Sequence, residues 1–254
     1  VHAMTTSETI LITGASGQLG HLVLAALQRR APGAHLVGLV RDVAKGRDLA
    51  ERGIELRVAD YGDLLALSSA LVGVDKLLLI SSSEVGQRTA QHRNVVKAAM
   101  AAGVKLIAYT SLLHADSSPM ALALEHRETE EVIRASGLPF TLLRNGWYSE
   151  NYAMGVAAAV QHGVVLGAAG TGPLSLAARR DFAEAAAVVL ADDGARHAGK
   201  VYELAGDEAY TLGGFAAEIA RQSGKPVHYQ DMPQAEYQTA LVSMGLPEGF
   251  AELL

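Results

Sequence analysis

Thr9-Ile10-Leu11-Ile12-Thr13-Gly14-Ala15-Ser16-Gly17-Gln18-Leu19-Gly20-His21-Leu22-Val23-Leu24 is the stretch whose reading decides the fold. A β-rich apolar run, Thr9–Ile12, leads into glycines at positions 14, 17 and 20, and an apolar helical run, Leu19–Leu27, follows. Strand, glycine turn, helix is the setting that a dinucleotide fingerprint requires. Gly14 permits the tight turn, Gly17 lets backbone approach a pyrophosphate, and Gly20 lets the helix pack on the strand. The helix N-terminus supplies free N–H groups and partial positive charge. The spacing is Gly-x-x-Gly-x-x-Gly, as in short-chain and extended dehydrogenase-type folds. A purely structural glycine turn is the competing reading.

Outward from that unit the same rhythm repeats. Strands are expected at His35–Val40, Ile54–Val58, Lys76–Ile80, Lys105–Tyr109 and Phe140–Leu143. Helices are expected over Val43–Glu51, Asp63–Leu71, Gln91–Ala102 and Pro119–Ser136, the last two ended by Gly103 and Gly137. Alternation of this kind specifies an α/β fold with a doubly wound parallel sheet. Beyond Arg144 the rhythm loosens. Helices are read at Ser149–Gln161, Asp181–Leu190, Thr211–Ser223 and Gln234–Met244, with short strands at Val164–Leu166, Val201–Leu204 and Val227–Tyr229. These later segments are expected to form a small C-terminal α/β lobe, with residues 5–148 as the nucleotide-binding domain and 149–254 as the lobe. No Pro- or Ser-rich linker divides them. Val1-His2-Ala3 ahead of Met4 reads as an expression remnant.

Composition narrows the chemistry. The 254 residues are half hydrophobic, enough for a sizeable core. A net charge of −6 without a basic run argues against nucleic acid as the main partner. The absence of cysteine excludes disulfides, thiolate catalysis, thiolate zinc sites and cysteine-ligated iron–sulfur clusters. The nine histidines lack metal-binding spacing. With no apolar run of membrane-spanning length and no signal peptide visible, the protein is read as cytoplasmic and not membrane-bound.

Ligands of such sheets bind beyond the carboxyl ends of the strands, so the residues just after each strand carry the reading. Arg41 stands where an acid would grip the 2′-hydroxyl of NAD and where an Arg pairs with the 2′-phosphate of NADP. Asp42 beside it leaves a surface Arg–Asp turn as the other reading, and Lys45 and Arg47 lie close by. Asp60 and Tyr61 are placed to flank an adenine. Ser81-Ser82-Ser83-Glu84 would let backbone pass close to a ribose, or simply form a turn. Thr110-Ser111-Leu112-Leu113-His114 should face the nicotinamide. No tyrosine has a lysine four positions later, so the Tyr-x-x-x-Lys relay of most short-chain dehydrogenases is missing. Alcohol oxidation or ketone reduction by that route is not expected.

Gly14-Ala15-Ser16-Gly17-Gln18-Leu19-Gly20, Val40-Arg41, Ala59-Asp60-Tyr61, Leu78-Leu79-Ile80-Ser81, Ala108-Tyr109-Thr110-Ser111 and Leu143-Arg144-Asn145-Gly146-Trp147-Tyr148 together resemble the NmrA-like branch of atypical short-chain dehydrogenases. Within it the chain is similar to the NADPH:quinone oxidoreductase 2 group, with triphenylmethane reductase as a relative. The resemblance runs over nearly all of Thr9–Leu254, though family members usually continue a little further. It implies a Rossmann-type sheet and NADPH bound by Gly14, Ala15, Ser16, Gly17, Gln18 and Leu19. Arg41 would sit on the 2′-phosphate, with further contacts from Ser81, Ser82 and Ser83 and from Gly146, Trp147, Tyr148, Ser149, Glu150 and Asn151. His126 falls where ether-reductase relatives keep an acid/base lysine, and would act as a proton donor or be a helix-face histidine without a role. Trp147 and Tyr148 would offer a platform for a flat electrophilic acceptor, or be core. The resulting expectation is flavin-independent hydride transfer from NADPH to a small quinone, without metal, with a homodimer allowed. An NADP(H)-sensing regulatory protein and a dye or azo reductase are the alternatives.

Overall fold

The computed structural model describes residues 7–251, the side chain of Phe250 excepted. The expression remnant read at Val1–Ala3, and the proposed domain start at residue 5, lie outside the described residues. In chain order the elements are β1 (Thr9–Ile12), α1 (Gln18–Arg30), β2 (His35–Val40), α2 (Arg47–Glu51), β3 (Glu55–Val58), α3 (Leu64–Ala70), β4 (Lys76–Leu79), α4 (Arg88–Ala102), β5 (Leu106–Leu112), α5 (Ala121–Ala135) and β6 (Phe140–Asn145). They continue as α6 (Ser149–Ala153), α7 (Val156–His162), β7 (Val164–Gly167), α8 (Arg179–Ala191), α9 (Gly194–His197), β8 (Lys200–Leu204), α10 (Leu212–Ser223), β9 (His228–Asp231), α11 (Gln234–Ser243) and α12 (Glu248–Ala251).

Seven strands form one parallel sheet in the order β3-β2-β1-β4-β5-β6-β8. The order reverses direction between β1 and β4, which makes their carboxyl ends the switch point where ligands of such sheets bind. The strands flanking that point are apolar throughout because both faces are covered: Ile10, Leu11, Ile12, Leu77, Leu78 and Leu79 are fully buried. Lys76 is the exception in β4, and its burial is compensated. Its ammonium donates to Leu190 O at 3.0 Å and Asp192 O at 2.7 Å, satisfying carbonyls at the end of α8, and pairs with Glu8 at 2.9 Å.

The chain forms two compact units. One comprises the described residues up to Asn145 together with Arg179–Leu204; the other comprises Gly146–Ala178 and the residues from Ala205 onward. The segment Arg179–Leu204, read from sequence as lobe, therefore belongs to the first unit. Two features explain this. β8 pairs with β6 and becomes the seventh strand of the sheet. The face Phe182-Ala183-Ala186-Ala187-Leu190 of α8 is buried, while Glu184 binds Arg29 and Arg30 of α1. The second unit has its own parallel pair, β7 with β9, and a small core of Ala159, Ala216, Ile219 and Val227.

Smaller departures also have local causes. Val43–Glu51 divides into a 3₁₀ turn, started by Asp42 accepting from Ala44 N–H, and α2. Ser149–Gln161 is broken at Met154-Gly155 into α6 and α7. β5 runs through Leu112, so Thr110 and Ser111 are strand residues paired with β6 rather than loop. Gly103 and Gly137 end α4 and α5 with φ of +69° and +74°. Among the described residues no helix is long and apolar enough to cross a membrane.

Candidate functional site

β1 delivers the chain to Gly14, whose φ of +58° lies in the left-handed region. The turn closes with Gly17 N–H donating to Gly14 O at 3.0 Å, and Ala15 N–H reaches Leu39 O on β2 at 3.1 Å. Gly20 is required sterically: a Cβ there would lie 2.4 Å from Gly14 O and 2.8 Å from Ala15 Cα. Gly17 is the N-cap of α1 with no capping side chain, and the first turn contains no acid. The first N–H groups of a helix have no acceptor within it, so this end of α1 is a donor cluster for an anion.

Beside it, over the switch point, lies a cavity of about 390 Å³, lined by Gly14, Ser16, Gly17, Arg41, Asp60, Tyr61, Ser81, Ser82 and Ser83, with Lys45, Glu84 and Gln91 also on its wall. Nine of the residues read from sequence thus share one cavity. Ala15 and Leu19 are buried beneath the turn instead, and Gln18 accepts a hydrogen bond from Arg179. Gly146–Asn151 open the second unit, where they are half-buried. There Ser149 N–H donates to Ala177 O at 2.9 Å, and Tyr148 bridges to Ala177.

The charged wall is ordered by pairing. Arg41, 68% exposed, binds Glu84 Oε1 at 2.9 Å and lies 4.0 Å from Asp60 Oδ2. Asp42, exposed like Arg41 beside it, caps the following turn through Ala44 N–H at 2.9 Å. Asp60 uses Oδ1 on Gly62 N–H at 2.7 Å. The Tyr61 hydroxyl lies 2.5 Å from Thr13 Oγ1 and 2.9 Å from Ile80 O, fastening the β3 end to β1 and β4. Burial pushes its phenol above the ordinary tyrosine range.

Ser82 is held from behind on both of its peptide groups. Its N–H donates to His92 Nε2 at 2.9 Å, and its C=O accepts from Arg88 Nε at 2.7 Å. Because His92 Nε2 accepts, its proton resides on Nδ1 and goes to Thr129 Oγ1 at 3.0 Å; Thr129 in turn donates to Glu125 O at 2.8 Å. Burial, with the Arg88 charge second, holds His92 far below the usual imidazole range, at about 3. Sequence reasoning missed this brace. His92 and Arg88 lie on α4 and Thr129 on α5, so their convergence depends on how the helices pack.

For His126 the sequence leaves open a proton donor, since an unperturbed imidazole titrates near neutrality, and a helix-face histidine without a role. It is 4% exposed on the inner face of α5, with Nδ1 2.7 Å from the Tyr109 hydroxyl. Desolvation, followed by the Arg88 charge, lowers its pKa to about 3. At neutral pH it carries no imidazolium proton to give.

At the far ends of β5, β6 and β8 stands a second unread cluster. Arg144 makes a fork with Glu130, Nε to Oε1 at 2.9 Å and Nη2 to Oε2 at 2.7 Å. Its Nη1 reaches Glu203 at 2.8 Å and Asp116 at 3.1 Å, while Ser111 Oγ donates to Glu130 at 2.6 Å. The carboxylates, Glu130 first, raise the guanidinium pKa. His114, exposed on the following loop, adopts φ 52° and donates its N–H to Glu203 at 2.8 Å. Among the described residues no group of three metal-binding side chains converges.

A parallel sheet of order 3-2-1-4-5-6 with a glycine turn and a basic residue at its switch point defines a dinucleotide-binding α/β protein. The chain belongs to the NmrA-like family, which it matches over residues 6–254. It is 59% identical to quinone oxidoreductase 2 of Escherichia coli (strain K12) over 245 residues, 96% of this chain and 85% of that one. A crystal structure of that NADPH-dependent quinone oxidoreductase complexed with NADPH superimposes with a TM-score of 0.93 at 59% identity, covering 96% of this chain and 86% of the other. Triphenylmethane reductase of Citrobacter sp. complexed with NADP(H) matches with a TM-score of 0.91 at 39% identity, with the same coverage. NAD(P)H azoreductase of Xenophilus azovorans is 29% identical over 96% of this chain and 84% of its own length.

Proposed function

We propose that this protein is an NADPH-dependent, flavin-independent reductase that passes hydride to a small quinone. The observation that carries the reading is the cavity at the switch point, which combines the uncapped start of α1 with Arg41 on a chain 59% identical to a quinone oxidoreductase.

The residues present fit the cofactor. The uncapped start of α1 offers backbone N–H groups to the pyrophosphate, and a Cβ on Gly17 would lie 3.2 Å from Gly14 O in the turn beside it. Arg41 and Lys45 take the 2′-phosphate, Asp60 and Tyr61 flank the adenine, and Ser81–Ser83 border the ribose. Bound NADPH supplies the hydride.

The chain's contribution is to bind and orient. A quinone that accepts hydride becomes a hydroquinone anion, and water can protonate it, so no strong side-chain acid is needed. His126, buried against the core residue Tyr109, has a structural role.

The test is steady-state oxidation of NADPH and of NADH by 1,4-benzoquinone without added flavin. We expect turnover with a preference for NADPH. One charge-assisted contact is worth about 1.5–3 kcal/mol. Since Arg41 is exposed and already paired, the lower end applies, and Arg41→Ala should reduce the preference roughly tenfold. Equal use of NADH and NADPH would overturn the assignment of Arg41. NADPH binding without turnover of any quinone would instead support an NADP(H) sensor.

A further inference from the structure

Glu84, on the cavity wall, ties down the cation assigned to the phosphate. Its Oε1 binds Arg41 Nη1 at 2.9 Å, and its Oε2 accepts from Gln91 Nε2 at 2.7 Å. Gln91 is 9% exposed, and its other amide atom, Oε1, has no hydrogen-bond partner. Glu84 N–H is in turn held by Ser82 Oγ at 3.1 Å. The carboxylate is thus anchored on the braced 81–84 segment and reaches across the cavity to Arg41. Asp60 lies 4.0 Å from the same guanidinium but spends an oxygen on its own turn. Asp42 spends one on its cap.

We propose that Glu84 is a specificity-setting residue: it competes with the cofactor's 2′-phosphate for Arg41, and thereby lowers affinity for phosphorylated dinucleotides selectively. This rests on the cofactor reading given above. A dianionic phosphate must displace Glu84 from the guanidinium or bind beside its charge, and either costs affinity. A ligand with a free 2′-hydroxyl meets neither cost. Glu84 therefore narrows the gap between NADPH and NADH that Arg41 creates.

Glu84→Gln removes the charge and keeps an acceptor for Gln91. Binding of 2′,5′-ADP and of 5′-AMP is measured by calorimetry on the unmutated protein, Glu84→Gln, Arg41→Ala and the double variant. Glu84→Gln should tighten 2′,5′-ADP by roughly three- to tenfold at low salt, leaving 5′-AMP within about twofold. In the Arg41→Ala background most of that gain should vanish. Unchanged or weaker 2′,5′-ADP binding, equal tightening of both ligands, or a full gain without Arg41 overturns the inference. If the unmutated protein does not distinguish the two ligands, the cofactor reading falls and this inference falls with it. If it does distinguish them and Glu84→Gln has no effect, only the competition is refuted.

Discussion

Acid should destabilise this fold well before its carboxylates titrate. His92 and His126 are buried and held at about 3, whereas an imidazole in the unfolded chain titrates near 6.5. Each therefore takes up a proton on unfolding at any pH between those values. Unfolding is then favoured as pH falls: stability is full above about pH 6.5, declines below it, and stops declining once the folded pKa is passed. Between pH 6.5 and pH 5 each histidine removes about 1.6 kcal/mol, or about 3 kcal/mol together. Paired carboxylates add their own loss mainly below about pH 5, so the interval isolates the imidazoles. Urea unfolding at the two pH values, or a thermal midpoint lower by roughly 6–12 °C at pH 5, reads the effect. The double variant His92→Gln/His126→Gln starts from lower stability, but its dependence on pH across the interval should nearly disappear. A wild-type free energy that is flat from pH 6.5 to 5, or a double variant that keeps the wild-type slope, would refute the burial argument for both residues.

Three further outcomes are expected. Gly17→Val should abolish NADPH binding, measured by fluorescence titration, by crowding the pyrophosphate, while leaving the thermal midpoint within a few degrees, because φ at Gly17 suits any residue and a Cβ there meets only Gly14 O, at 3.2 Å. Arg144→Met should cost about 3–5 kcal/mol by stranding buried Glu130, and Arg144→Met/Glu130→Leu should recover most of it; a double variant no better than the single one removes the argument. His126→Gln should leave the pH profile of quinone reduction without a change near pH 6.5, since an imidazole held at about 3 is silent there; loss of an inflection present in the unmutated protein would restore His126 as the acid.

The turn at Gly14–Gly20 and the strands around it were legible because turn chemistry and apolar periodicity are local. Residues that follow β1, β2, β3 and β4 in sequence also gathered in one cavity, because the topology gathers those strand ends, whereas Gly146–Asn151 after β6 belong to the second unit. Pairings across long separations were not legible. Val201–Leu204 reads as a strand, but nothing in it says that it joins β6 rather than the later segments. Arg144 meets partners 14 and 59 positions away, Glu130 and Glu203. The position of His126 was legible while its burial was overlooked. The stripe Ala123-His126-Glu130-Ile133 has helical spacing and marks the face that turns inward. Glu84 stood directly after the three serines, and only the reach of Arg41 across the cavity gives it a role.

The recruitment of β8 into the main sheet bears on how the polypeptide is made. The chain leaves its first unit after Asn145 and returns at Arg179, so the sheet is finished only when the intervening part of the second unit has already been synthesised. A nascent chain that has emerged as far as Asn145 presents β6 as a bare edge and holds Arg144 without Glu203, while Thr141 Oγ1 lacks the His197 carbonyl that it reaches at 2.8 Å. An edge of that kind is a template for pairing with another chain. Stopping the gene at the apparent end of the nucleotide-binding half should accordingly yield an aggregating fragment. A self-standing version would instead splice Asn145 to Arg179 through a short linker and end after Leu204.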